Sequence, residues 1–260
     1  MYAIANQKGG VGKTTSCVNL AASLVATKKT VLLVDLDPQG NATMGSGINK
    51  NELERSIYDV LVGNCSLSEA VVLSDSGGYD VIPANGDLTA AEVEMLGLDN
   101  KERRLDEALQ SVGLFYDYVL IDCPPSLNML TLNALTACQG VIIPMQCEYY
   151  ALEGLSALIG TINQIKAVLN PGLEVEGILR TMYDPRNSLT KDVSAQLNEY
   201  FGDKVYRTCI PRNVRLAEAP SFGEPVLAYD RTSKGAISYL ALAGELIRRN
   251  ETAAKAAEPA

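Results

Sequence analysis

Gly9, Gly10, Gly12, Lys13 and Thr14 stand together in the stretch NQKGGVGKTT, residues 6–15. Glycines at this density let a backbone turn several N–H groups to one side. A lysine and a hydroxyl residue directly after them are the groups that meet phosphate oxygens and a magnesium ion. Gly9, Gly10, Val11 and Gly12 are therefore read as the cradle, Lys13 as the cation for the β- and γ-phosphates, Thr14 as a magnesium ligand and Thr15 as a donor to the α-phosphate. The usual spacing, a glycine and four residues before Gly-Lys-Thr, puts that first glycine at position 7, where Gln7 stands instead, followed by a second lysine, Lys8. Two further stretches carry carboxylates. VDLDPQGNAT (34–43) places Asp35 and Asp37 two apart, facing the same side of an extended chain, and Pro38 and Gly40 break the chain behind them. Asp37 is then a loop residue able to orient an attacking water or take its proton, close to the metal. LIDCPPS (120–126) ends an apolar run on Asp122, a second magnesium anchor acting through a metal-bound water. Together the three stretches point to hydrolysis of ATP or GTP.

Elements must carry these residues to one place. YAIAN (2–6), TVLLVD (30–35), YDVIPA (79–84), YDYVLID (116–122), GVIIPM (140–145), EVEGILRTMY (174–183) and KVYRTCI (204–210) read as strands. Several are apolar throughout, as in a sheet covered on both faces. Helices are expected from Lys13 to about Ala26, over 101–112, from Met129 to Cys138, from Leu152 to Leu169, over Lys191–Tyr200 and from Ala236 to Arg249. The alternation implies an α/β fold of the P-loop NTPase class, a mostly parallel twisted sheet with helices on both faces. Ligands of such sheets bind beyond the carboxyl ends of the strands, and each of the three chemical stretches follows a strand. No linker rich in Pro, Gly or Ser interrupts the chain, so one domain is expected over residues 1–250, with 251–260 as a flexible tail.

Composition narrows the classes. The chain has 260 residues, 47% hydrophobic and 20% charged, with no apolar run long enough to span a bilayer and no secretory signal, which leads to the expectation of a cytoplasmic protein. It contains no histidine, so no imidazole base is available. Its six cysteines form no C-x-x-C pair and are read as reduced and without a metal role. The net charge of −9 is uneven: residues 1–179 hold 10 Lys+Arg against 21 Asp+Glu, and residues 180–260 hold 12 against 10. A local basic patch on an acidic molecule is thus permitted.

KGGVGKTT, VDLDPQGNAT, IDCPPS and the long block IPRNVRLAEAPSFGEPVLAYDRTSKGA resemble the ParA/Soj ATPases that segregate bacterial chromosomes and plasmids. The first motif belongs to the wider deviant Walker A group, and the C-terminal block narrows the match. The resemblance implies ATP and Mg²⁺ as cofactors and an ATP-dependent sandwich homodimer in which Lys8 reaches the phosphates held by the other subunit. It gives Asp37 the hydrolytic water and Asp122 the magnesium-linked switch, and sets Pro211 and Asn213 beside the base. It further implies slow intrinsic turnover, non-specific binding of double-stranded DNA by the ATP-bound dimer, and a ParB-type partner that speeds hydrolysis. ATP-bound protein would then be nucleoid-associated. Arg186, Arg212, Arg215 and Lys234, all in the basic-leaning part of the chain, are the candidate DNA contacts. No membrane contact is expected: a MinD-like positioning ATPase shares the nucleotide motifs, but RRNETAAKAAEPA lacks the bulky apolar face of a membrane-binding helix. An iron–sulfur carrier would need a cysteine pattern absent here.

Overall fold

The computed structural model describes residues 1–111 and 113–257. Eight strands form one sheet: β1 (Tyr2–Ile4), β2 (Val31–Asp35), β3 (Val72–Ser74), β4 (Tyr79–Ile82), β5 (Tyr118–Asp122), β6 (Gly140–Gln146), β7 (Glu174–Tyr183) and β8 (Val205–Pro211). Their order across the sheet is β3-β4-β2-β5-β1-β6-β7-β8, parallel throughout except for the β3–β4 pair. The helices are α1 (Lys13–Ala26), α2 (Asn41–Gly45), α3 (Ile57–Val62), α4 (Leu88–Glu94), α5 (Arg104–Gln110), α6 (Met129–Ala137), α7 (Ala151–Val168), α8 (Ser188–Phe201), α9 (Val214–Glu218), α10 (Val226–Tyr229) and α11 (Lys234–Ala257).

Strand alternation explains why the sheet has two cores. In β2, Leu32 and Val34 face one side, while Val31 and Leu33 face the other. In β5, Val119 and Ile121 oppose Tyr118 and Leu120 in the same way. One core is closed by α3 to α8, the other by α1 and α11, so no strand face of β2 or β5 meets water and every position can be apolar. The α1 helix seats itself in the second core through Cys17, Leu20, Ala21 and Leu24, all fully buried. Leu20 and Leu24 alone contribute about 3–6 kcal/mol at the usual worth of a buried aliphatic side chain. Packing behind the loop therefore holds its helix in place.

All seven expected strands are present. The eighth, β3, is a three-residue antiparallel edge strand with Val72 and Leu73 exposed, too short to show a period in the sequence. The closing helix runs to Ala257 rather than ending at Arg249, because the alanines of ETAAKAA are strong helix formers. Residues 258–260, the end of the expected tail, lie outside the described residues. Among the described residues no helix is long and apolar enough to cross a membrane.

Candidate functional site: a glycine loop over two buried carboxylates

The strand order brings the chemical stretches together. β5 lies between β1 and β2, and Asp122 is in register with Ile4 on one side and Asp35 on the other. The glycine loop leaves β1 beside Asp122, and the Asp37 loop leaves β2 from the neighbouring position.

The loop is built for an anion. Gly10 and Gly12 have φ of 73° and 88°, the left-handed region that other residues enter at a cost. Gly12 is also the N-cap of α1. It offers no side-chain cap, and the first turn holds no acidic residue. The first intrahelical bond is from Ser16 N–H to Gly12 O at 2.9 Å, so the amides of Lys13, Thr14 and Thr15 keep their N–H groups for another acceptor. Lys13 is buried and its Nζ donates to Lys8 O at 3.2 Å. Burial lowers its pKa, and the Asp122 carboxylate pulls in the opposite direction.

Beneath the loop, Thr14 Oγ1 donates to Asp122 Oδ2 at 2.7 Å. Asp122 is fully buried, and its Oδ1 has no partner among the described residues. Burial, and then the adjacent Asp35 carboxylate, push Asp122 well above the usual carboxylate range. Asp35 is itself pushed up to about 6 by burial, although Thr43 and Asp37 donate to it. Two carboxylates on adjacent strands, one with an orphaned oxygen and a hydroxyl donor at its rim, fit a magnesium ion reached through bound water. Among the described residues no group of three His, Cys, Asp or Glu side chains could cage a metal. Such a site suits magnesium, which keeps several waters and takes phosphate ligands.

Asp37 is half-buried at the mouth of the site. Its N–H donates to Asp35 Oδ1 at 3.1 Å, and its Oδ1 accepts from Gln39 N–H at 3.0 Å. The loop behind it closes through Gly40 N–H to Asp37 O at 2.8 Å. Gly40 has φ of 60°, and a Cβ there would lie 2.6 Å from the carbonyl oxygen of Ala84. Gly40→Ala is therefore expected to destabilise the fold by about 1–3 kcal/mol and to displace Asp37, lowering hydrolysis together with the urea midpoint. A variant with the parent midpoint and rate would show that this turn is not held by backbone contact.

Lys8 lies on the exposed shoulder of the loop. Asn6 Oδ1 accepts its N–H at 3.0 Å, and its Nζ is 2.5 Å from Glu148 Oε2, both side chains being half exposed. The side chain thus pairs outside the loop, with a carboxylate that follows the end of β6. Beside Glu148, Tyr149 and Tyr150 meet edge to face at 5.0 Å and are about three-quarters exposed. Sequence reasoning misses Glu148, though it follows a strand end as Asp37 does.

Pro211 and Asn213 line a cavity of 200 Å³ with Gly12, Thr15, Met182 and Leu216. It adjoins the start of α1 and is walled mainly by apolar groups, as a slot for a flat ring requires. Asn213 Oδ1 also caps α9 by accepting Leu216 N–H at 3.3 Å. A larger concavity of 1510 Å³ lies away from the loop, between β8 and α11. The polar groups of its floor hold the fold together. Arg180 donates to Tyr206 O, and Glu245 accepts the N–H groups of Arg207 and Thr208, where the β7–β8 register shifts.

The four basic candidates divide into two kinds. Arg186 is clamped by Asp184, whose carboxyl it holds down to about 2. Arg215 reaches Glu218 at 2.8 Å and Asp230 at 3.2 Å. Arg212 and Lys234 are exposed and make no ion pair among the described residues. All six cysteines are free, and four are buried.

Residues 1–175 match the AAA domain family model. The chain is 51% identical to the chromosome partitioning protein ParA of Caulobacter vibrioides, over 99% of this chain and 97% of that one. It is 53% identical to the sporulation initiation inhibitor protein Soj of Bacillus subtilis, over 95% and 97%. Among solved structures, the cobyrinic acid a,c-diamide synthase of Mycobacterium smegmatis with bound ATP analog and magnesium superposes with a TM-score of 0.85, at 38% identity over 97% of this chain and 96% of that one. With the glycine loop, the buried carboxylates and this similarity along nearly the whole chain, the protein belongs to the ParA/Soj family of chromosome-partitioning ATPases.

Proposed function

We propose that the protein is a nucleotide-gated DNA-partitioning ATPase: ATP closes a sandwich dimer, the dimer binds duplex DNA without sequence preference, and hydrolysis releases it. The observation that carries this reading is the division of labour between two lysines on one loop. Lys13 is buried, whereas Lys8 is exposed and pairs with Glu148, which two exposed tyrosines follow in the chain. A cation in that position serves a phosphate on another molecule better than its own, and Tyr149 and Tyr150 offer apolar surface for a second copy to cover.

Within one subunit the loop amides and Lys13 hold the triphosphate. Thr14 and Asp122 would hold a magnesium ion, which when bound would supply positive charge to the phosphates, and the slot between Met182, Pro211 and Asn213 receives the base. Asp37 orients the water and takes its proton. Lys8 of the second subunit adds positive charge where negative charge develops on the transferred group, so hydrolysis and dimer formation are coupled. Turnover is slow until a ParB-type partner with a basic segment engages the acidic part of the chain. In the ATP state the protein is nucleoid-associated.

Phosphate contacts need only unpaired cations on one surface, which favours Arg212 and Lys234 over Arg186 and Arg215. Lys234 is also the first residue of α11, at the positive end of the helix dipole, where a cation costs stability. Lys234→Ala should therefore keep or raise the melting temperature while flattening the salt dependence of DNA binding, by about 1.8 in log–log slope for one contact per subunit of a dimer. An unchanged slope removes Lys234 from the DNA surface. The whole reading is tested by titrating DNA with protein in ADP, ATP and a non-hydrolysable ATP analogue while molecular mass is followed. Mass doubling and salt-sensitive binding are expected with ATP and the analogue and not with ADP. DNA binding by a monomer, or equally in ADP, would reject it.

A further inference from the structure

An anion cradle made of backbone needs its peptide planes set before the anion arrives. All peptide bonds among the described residues are trans, so the carbonyl of one residue and the N–H of the next point in opposite directions. Fixing a carbonyl outward therefore fixes the following amide inward. Three carbonyls of the loop receive side-chain donors. Lys13 Nζ reaches Lys8 O at 3.2 Å, Gln146 Nε2 reaches Gly10 O at 3.3 Å, and Thr181 Oγ1 reaches Val11 O at 2.8 Å. The Lys13 amine is itself needed by the phosphates, so it cannot also be the permanent brace. The other two donors come from outside the loop, and they are register partners on adjacent strands, Gln146 at the end of β6 and Thr181 near the end of β7. Val11 is 1% exposed and Thr181 3%. The pair is shielded from bulk solvent, and without the hydroxyl the Val11 carbonyl loses its only hydrogen-bond partner among the described residues.

We propose that Thr181, with Gln146 beside it, is a positioning residue of the ATPase: it holds the Val11 carbonyl outward and so aims the Gly12 amide, and with Gln146 the Val11 amide, at the phosphates. The inference rests on the reading of residues 7–15 as the phosphate loop. It makes the neighbouring strands β6 and β7, and not the glycines alone, responsible for preorganising the cradle.

Thr181→Val keeps the shape of the side chain and removes the donor. ATP and inorganic tripolyphosphate, which has no base, are titrated by calorimetry into parent, Thr181→Val and Thr181→Ser proteins with magnesium. Thr181→Val should bind both ligands about fivefold to tenfold more weakly, the worth of one hydrogen bond, and Thr181→Ser should recover most of the loss. Thr181 also lines the slot proposed for the base, so a loss for ATP alone would mean that it acts on the base and not through the loop and would overturn the inference, as would equal binding by Thr181→Val. Absence of tripolyphosphate binding by the parent protein would overturn the phosphate-loop reading as well, which separates the two failures. Should Thr181→Val fold poorly, Gln146→Met removes the more exposed donor without its length. It is expected to weaken tripolyphosphate binding about threefold, at the lower end of the same range, and unchanged binding would count against the brace.

Discussion

Asp37→Ala is expected to bind ATP within about threefold of the parent affinity and to hydrolyse it at least about a hundredfold more slowly, the low end of what a positioned base contributes. The two halves of that result come from different parts of the Asp37 environment. Its backbone is held from both sides, by Asp35 Oδ1 on its N–H and by Gly40 N–H on its carbonyl, and neither bond uses the side chain. Among the described residues the carboxylate accepts one hydrogen bond, from Gln39 N–H at 3.0 Å in an exposed turn. Losing it costs about 1 kcal/mol at most and leaves no buried group unpaired. On the proposed reading binding relies instead on the loop amides, Lys13 and Asp122, none of which hydrogen-bonds to the Asp37 side chain. A carboxylate that does so little for the fold, half-buried beside the loop proposed to hold phosphates, is expected to have its effect in the chemical step. Single-turnover phosphate release and equilibrium ATP binding, measured on the same preparation, separate the two effects. Hydrolysis at the parent rate would move the water-orienting role to another residue, and a large loss of affinity would make Asp37 a binding group.

The legible part of the chain is what a single strand and the loop behind it already contain. β2 and β5 are buried on both faces, so their apolar runs are unambiguous, and the aspartate ending each run stands out. The spacing of Asp35 and Asp37 predicts that both face one side. In the fold Asp35 serves as an anchor, receiving Thr43 and Asp37, and only Asp37 reaches the mouth of the site. Residues whose roles depend on strand order are not legible in this way. Glu148, Gln146 and Thr181 follow or end β6 and β7, and only the placement of β6 against β1 brings them to the loop. Nothing in chain order states that neighbour relation, because a parallel sheet can be wound in several orders from the same run of strands. Likewise, the pairing of Arg186 and Arg215 with carboxylates depends on side-chain geometry that charge counting cannot supply. The end of α11 escapes the pattern for a different reason: alanine-rich sequence carries helix propensity but no apolar period to follow.

Lys8→Ala tests whether that loop serves two molecules. Its structural cost should be small, since the Lys8–Glu148 pair is half exposed and such pairs contribute about 0–1 kcal/mol. The cradle also keeps its shape, because Asn6 and Lys13 contact only the Lys8 backbone. ATP should still bind each subunit, while hydrolysis falls by about a thousandfold, the lower range for a cation supplied across an interface. The same fall would follow if Lys8 acted within its own subunit, so the rate alone does not decide. Mixing does. When Lys8→Ala and Asp37→Ala proteins are combined, a mixed dimer contains one site with Asp37 from the first chain and Lys8 from the second, both intact. About a quarter of parent activity should return at equal concentrations, since half the dimers are mixed and each has one working site of two. If Lys8 served its own phosphates, each site of the mixed dimer would lack one group or the other, and activity would stay at the level of the separate variants. Recovery on mixing places the second lysine in trans, and its absence returns Lys8 to a surface charge held by Glu148.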